Sequence, residues 1–489
     1  MDLMDRQAYL NNRAFFWFAA SFLTLFFASK SLGLTLGYGI DDYFTLATEN
    51  ESLKNDFLSQ GRFTFALLQI GMDFSGLKQP ELAGLGFFLS AGALLLVGWL
   101  TLAKWLQNQR LLAVAIGALL GAHPFFTEYV SFRQSLFPMG VCLTLVVGAI
   151  ILLIQKPPAS ISRLCVAASL AAMASGINQI AMALFCIAAL GISLQKNVYL
   201  SPFRATLWAV RDSALVGALA STIYLLVFNI TMYVAAVDPN ARMSLLGFGE
   251  VGIRAIDVAV LLTSVFGGNH PLVGSLAAFC TTFAIITLSA RASTSSKQWA
   301  QVLMGIFVFV IGIALALLPS ALSETWWPVP RTLTALPLAI TLGIVVLSFG
   351  ASRIQIRLAS SVLLVAVVVF AGKSGSLLID QQRLNRWDMG LAREIVLKIT
   401  ELRQITASTP IVIHRAKWAH EIDESMPLGD ANLSALGVSW SVDALFEEAS
   451  GRQMQVTQGT EDDTICVNAP VFPSTGSILE VDGTIHVCL

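Results

Sequence analysis

Residues 14–44 read AFFWFAASFLTLFFASKSLGLTLGYGIDDYF. A helix needs about 20 mostly apolar residues to cross the hydrocarbon core of a bilayer. Ala14–Leu36 meets that length with Lys30 as its sole charge. It is long for the apolar region of a signal peptide, and Ala28-Ser29-Lys30 is a poor cleavage site, so it reads as a retained first helix. The stretch after it differs in kind. Gly37 and Gly39 bracket Tyr38, and two adjacent carboxylates, Asp41 and Asp42, follow at the mouth of the helix.

The rest of the chain extends this membrane reading. Only 12% of its 489 residues are charged, 55% are hydrophobic, and the mean hydropathy is +0.71. A soluble chain carries about 25% charged residues. Thirty Lys and Arg against 31 Asp and Glu leave a net charge of −1, with no basic excess for nucleic acid. Six Cys without a CxxC or a Cys/His cluster exclude a disulfide scaffold or a zinc ribbon. Further apolar segments run over 82–103, 111–126, 135–154, 164–176, 179–194, 213–237, 271–290, 299–318, 332–349 and 358–371. The fold class is therefore a polytopic α-helical membrane protein of about eleven helices. Segments 164–176 and 179–194 are short for full crossings and are expected to form a tilted or re-entrant hairpin turning at Ser175–Asn178.

Basic residues in the short loops set orientation. With a cytoplasmic N-terminus, Lys104, Arg110, Lys156, Arg163, Lys196, Arg204, Arg211, Arg291, Lys297, Arg353 and Arg357 all fall on the cytoplasmic side. Asp41, Asp42, Glu49, Asp73, Glu128, Asp238, Glu250 and Glu324 fall opposite. An odd number of spans then places the C-terminus outside. The chain divides into a membrane domain, 1–372, with a first external loop over 37–81, and a small external α/β domain, 373–489. In the latter, residues 381–403 and 438–449 read as helices and Thr409–His414 as a buried strand. Residues 477–481 and 484–487 flank Asp482-Gly483, a hairpin signal. Cys466 and Cys488 are the only cysteines outside expected spans. In an oxidising compartment they pair, or else they stand as two free thiols.

Within the external loop, Gly61-Arg62-Phe63 opens an amphipathic run. Phe63, Leu67, Ile70 and Phe74 share one stripe, and Arg62, Gln69 and Asp73 another, as in a helix lying in the membrane interface. A carboxylate pair here suits a general base facing the headgroups, or else is an ordinary solvated loop. An extended backbone would point the two side chains apart, leaving one catalytic. Three more clusters lie on that side: Ala122–Tyr129 (AHPFFTEY) with Arg133 beyond it, Asn269-His270-Pro271, and Trp326–Arg331 (WWPVPR). The aromatic residues form an interfacial belt. Arg133, Arg331 and Lys30 run against the charge bias. Either they grip a phosphate at headgroup level, or the arginines pair with Glu128 or Glu324 and Lys30 snorkels outward.

Together these features resemble the bacterial serotype-converting O-antigen glucosyltransferases, the Gtr group of membrane glycosyltransferases with a GT-C architecture. The motifs that carry the resemblance are Asp41-Asp42, Gly61-Arg62, Asn178-Gln179, a late external arginine, the Leu436–Trp440 segment and the closing hairpin to Leu489. Asn178-Gln179 stands where the family has Tyr-Gln. The resemblance implies an inverting transfer of a sugar, glucose by analogy, from a polyprenyl-phosphate donor to a hydroxyl of a lipid-linked surface glycan on the periplasmic face of the bacterial inner membrane. Asp41 or Asp42 would be the base. Arg331, Arg62, Arg133 and Lys30 would bind the donor phosphate, and Glu128, His123, His270, Gln179 and Trp327 would contact substrate. Arg and Lys can stabilise a phosphomonoester leaving group, so no metal or cofactor is expected. His414, His420, Glu421, Asp423 and Glu424 match no standard zinc spacing. Two other readings compete. A transporter or flippase of an anionic substrate needs charged groups near the bilayer midplane, and these are few. A glycan polymerase or ligase relies on a larger central external loop than residues 238–270 provide.

Overall fold

The computed structural model describes residues 13–48, 50–154, 161–197, 200–240, 246–250, 271–290, 296–325, 329–402, 408–414, 433–459 and 464–489, with 244, 252–254, 256–258 and 406. Each of the eleven expected segments falls on a helix. They are α1 (Arg13–Lys30), α5 (Ala83–Leu106), α6 (Arg110–Ala122), α8 (Arg133–Ile154), α9 (Ile161–Ser175), α10 (Ile180–Lys196), α11 (Pro202–Ala235), α12 (Pro271–Ser289), α13 (Ser296–Leu322), α14 (Leu336–Ser348) and α15 (Arg353–Leu402). Among the described residues, eight helices are long and apolar enough to cross a membrane, and three shorter apolar ones accompany them. The protein is a multi-pass membrane protein.

Lipid tails are as apolar as Leu, so burial alone cannot pull helices together in a bilayer; close packing must. The α1–α6 pair illustrates this. Gly117 and Gly121, four apart on α6, leave room for the α1 backbone, and a Cβ at either would lie 2.4 Å from the carbonyl of Phe18 or Phe22. On α1, Phe18, Phe22 and Phe26 repeat every four residues and form a fully buried column. Their ring centroids are 6.5 and 5.6 Å apart.

The 37–81 segment folds as three short helices, α2 (Ile40–Ala47), α3 (Asn50–Ser59) and α4 (Phe63–Ser75). Leu67 and Phe74 on α4 are 62% and 90% exposed, an apolar stripe at the bundle's end as an interfacial helix requires. Phe63, expected on that stripe, is instead buried, and on the polar face Gln69 is buried and hydrogen-bonds Gln79 and the exposed Asp73. Helices α9 and α10, about 22 and 25 Å long, form the expected hairpin. Its turn docks onto α4, with the Phe65 amide donating to the Gly176 carbonyl at 3.1 Å. A Cβ at Gly176 would meet the Phe63 ring at 2.6 Å.

The expected division at residue 373 falls inside one helix. α15 spans 50 residues, about 75 Å, far more than a bilayer needs. Its second half carries a small α/β unit with β1 (Pro410–His414), α16 (Val442–Ser450), β2 (Gln455–Gln458), β3 (Ile478–Val481) and β4 (Thr484–Cys488). The sheet order is β2-β1-β4-β3. β1 is parallel to both neighbours, and β3 and β4 form an antiparallel hairpin. Its turn is the expected Asp482-Gly483, both at positive φ (50° and 80°). Strand β2, with its single buried residue Val456, escaped the sequence reading. Cys466 and Cys488 form a disulfide. Among the described residues no group of His, Cys, Asp and Glu could hold a metal. His414 instead pairs with His486, at 2.8 Å between Nε2 and Nδ1. His420, Glu421, Asp423 and Glu424 lie outside the described residues.

Candidate functional site

The Asp41-Asp42 pair is helical, not extended: it occupies the first turn of α2, where carboxylates complement the helix dipole. Successive helical residues diverge by about 100°, so the two acids meet different surroundings. Asp42 is wholly buried. Its oxygens accept backbone amides from Gly39 at 2.8 Å, Arg133 at 3.2 Å and Gln134 at 2.7 Å. It caps α2 and ties the loop to the start of α8. Burial pushes its carboxyl up to about 7, against the three amides that lower it. Asp41 is half-buried and shares a face of α2 with Phe44 and Thr45. Thr45 hydrogen-bonds the Gln134 side chain, and Phe44 packs on a cluster that includes Phe57 and Phe63. That face therefore looks toward α4 and α8. Tyr43, on a third face, packs among residues of the α/β unit. Burial, then the nearby Glu448 and Asp388, raises its hydroxyl above the ordinary tyrosine range.

A polar centre lies where α7 (Thr127–Ser131), α4, the α9–α10 turn and the 330–333 turn converge. Glu128 is fully buried. It accepts from the Arg331 guanidinium at 2.8 Å and from the Arg331 amide at 2.7 Å. The neighbouring Tyr129 hydroxyl accepts from Asn178 at 2.8 Å, and both Arg331 and Arg62 act on it electrostatically. Arg62 stands at the N-terminus of α4, after Gly61 at φ 75°. The turn before it is gripped from two sides. Gln179 donates to the Gln60 carbonyl at 3.1 Å, and the Tyr224 hydroxyl to the Gly61 carbonyl at 3.1 Å. Tyr129 and Tyr224 were missed in sequence because an apolar neighbourhood makes each look like belt or core. Asn178-Gln179 was the available signal for this turn.

The remaining candidates separate. Lys30 does not snorkel; it turns inward, 0% exposed, and donates to the Gly121 carbonyl at 2.8 Å and Ser29 at 3.1 Å. His123 is packed between Phe125 and Phe370, with Nδ1 facing the Phe125 amide at 3.5 Å. Neither side chain reaches the surface. Arg133 donates to the Leu36 carbonyl at 3.2 Å, lies over the Tyr38 ring and lines a separate groove. Glu324, the alternative partner for an arginine, meets Arg254 through its backbone carbonyl. His270 and Trp327 lie outside the described residues.

A multi-pass helical bundle, one end of which gathers carboxylates, arginines and tyrosines, is the class of an integral-membrane protein with a polar site at one end of its helices. The Glucosyl transferase GtrII family model matches residues 32–370, well over half the chain, and the chain belongs to that family. Membership supports glycosyltransferase activity, and the family implies glucosylation of O-antigen. No curated protein and no solved structure matches the chain.

Proposed function

We propose that the protein transfers a glucosyl group from a polyprenyl-phosphate donor to a hydroxyl of an O-antigen or related surface glycan, at the bundle end that carries α2–α4, and that this end faces the periplasm. The observation that carries the reading is the split of the acidic pair: Asp42 is spent on three backbone amides, whereas Asp41 shares the face of α2 that Thr45 and Phe44 turn toward α8 and α4. Asp41 is the general base. It takes the acceptor proton as the acceptor oxygen bonds to the anomeric carbon, and the bond from that carbon to the phosphate oxygen breaks with its electron pair leaving on the lipid phosphate. One displacement inverts the anomeric configuration. Arg62 and Arg331, converging on Tyr129, stabilise the charge that accumulates on the departing phosphate. The exposed stripe of α4 lies in the interface where a lipid donor presents its headgroup. The loop charge bias supports a cytoplasmic N-terminus and a periplasmic site.

The test uses full-length protein in nanodiscs with polyprenyl-phosphate glucose and acceptor glycans. Asp41→Asn is expected to lower transfer by about 10²–10⁴-fold, the usual weight of a general base. Undiminished transfer by Asp41→Asn removes the base assignment. No turnover with any lipid-phosphate sugar, together with substrate uptake into vesicles, makes the protein a transporter.

A further inference from the structure

A groove of about 500 Å³ opens between the 35–43 segment, the start of α8, the second half of α15 and α16. That volume is within the usual range for a bound small ligand. Gln382, Arg386, Met389, Gly390 and Arg393 recur along one face of α15 and form one wall; Arg133, Tyr38 and Tyr43 form another. Three arginines stand against a single lining carboxylate, Glu448. The two other cations on the second half of α15 have carboxylate partners: Arg383 lies 3.8 Å from Asp380, and Lys398 lies 3.0 Å from Glu401. Among the described residues, Arg133, Arg386 and Arg393 have none within salt-bridge distance. Asn385 adds an independent sign. It lines the groove, and its Nδ2 is buried without a hydrogen-bond partner, an arrangement that costs free energy.

Resting on the glycosyltransferase reading, we propose that this groove is the acceptor site and that it takes an acidic glycan segment, with carboxylate or phosphodiester oxygens on Arg386, Arg393 and Arg133. Arg386 and Arg393 sit two helical turns apart, about 10 Å along the axis. That spacing matches charges distributed over successive sugars and is wide for the adjoining phosphates of one diphosphate. Guanidinium forks pair bidentately with such oxygens. Tyr38 and Tyr43, in edge contact at 5.8 Å, supply flat apolar surface for sugar rings. All of the α15 wall and all of α16 lie beyond residue 370, where the family match ends. The acceptor is thus read in part by a stretch beyond the family match and in part, through Tyr38, Tyr43 and Arg133, by residues within it.

The experiment measures binding to full-length protein in phosphatidylcholine nanodiscs without donor, using labelled tetragalacturonate, its carboxyl-reduced neutral form and inorganic pyrophosphate. The acidic tetramer is expected to bind at least about tenfold more tightly than the neutral one, through charge-assisted bonds that Arg386→Gln/Arg393→Gln removes with a similar loss. Both arginines are exposed, so the double variant folds, which an unchanged melting temperature verifies. Equal binding of the neutral tetramer, unchanged binding by the double variant, or displacement of the tetramer by equimolar pyrophosphate overturns the proposal. Glucosyl transfer by wild-type protein is scored in parallel nanodiscs to which polyprenyl-phosphate glucose and acceptor glycans are added. Transfer without tetramer binding removes the groove assignment alone; tetramer binding without transfer to any acceptor removes the transferase reading and leaves the groove an acidic-glycan site.

Discussion

Two polar centres occupy the same end of the bundle and are built on opposite terms. Around Glu128 every charge is answered: the carboxylate is buried, and its oxygens hold both the guanidinium and the amide of Arg331. In the groove along α15 the guanidiniums stand apart from carboxylates and open to water. The first centre fixes the 330–333 turn against α7 and is architecture as much as chemistry. The second leaves its charges for something that arrives. A buried cation without its anion is costly, whereas an exposed one is cheap to leave unpaired, so burial separates the two roles.

Breaking the first centre should have the largest effect. Arg331→Met takes the guanidinium from the buried Glu128 carboxylate and leaves it the backbone amide of residue 331, at a cost of about 3–5 kcal/mol. The expected outcome is a large fall in thermal unfolding temperature in nanodiscs, mostly recovered by adding Glu128→Leu. A double variant as unstable as the single would show that the pair is more than mutual compensation. Next in size is the disulfide, whose cysteines are 22 residues apart. The Cys466→Ser/Cys488→Ser variant should lose about 3 kcal/mol of stability in the α/β unit, read as faster proteolysis of that unit with the bundle intact. Smaller again is Asp42→Asn, which replaces an acceptor of three amides at a cost of about 1–3 kcal/mol. Asp42 also titrates. Its folded carboxyl sits near 7, above the ordinary value of 3.8, so the folded state binds the proton more tightly. Its contribution is fully present below about pH 4 and is lost as pH rises through 7. Melting temperature against pH should be flatter in Asp42→Asn than in wild type. The smallest effect belongs to the groove, where Arg386→Gln alone should change stability by no more than about 0.5 kcal/mol.

The same contrast explains what the sequence could say. Helix-length apolar runs announce themselves, since a bilayer fixes their length, and all eleven fell on helices. The β3–β4 hairpin was legible because Asp482-Gly483 is a turn in its own right. The continuity of α15 was not: its apolar half ends at Ala371 while its helix continues through polar residues, so composition marks a boundary that the backbone ignores. The separate surroundings of Asp41 and Asp42 were equally hidden. An extended reading and a helical one both point the side chains apart, but only the folded α8 N-terminus decides which acid is buried. Lys30 misled for a related reason. In sequence it ends an apolar run and suggests an exit to the headgroups, yet the carbonyl of Gly121 captures it from a helix 91 residues away. Asp388, whose oxygens take Ser434 at 2.6 Å and the Ala435 amide at 2.8 Å, docks the α/β unit to α15. Nothing local marks it among the other charges of that helix.

The unbroken run of α15 makes it a ruler. Each residue inserted between its membrane half and Gln382 would raise the groove wall by about 1.5 Å and rotate it by about 100°. Two inserted residues would swing Arg386 and Arg393 to the far side of the helix. Four would return them nearly to phase, about 6 Å farther out. The height at which a glycan meets the bundle is thereby counted in residues, and the count is kept by a stretch of helix that touches no sugar at all.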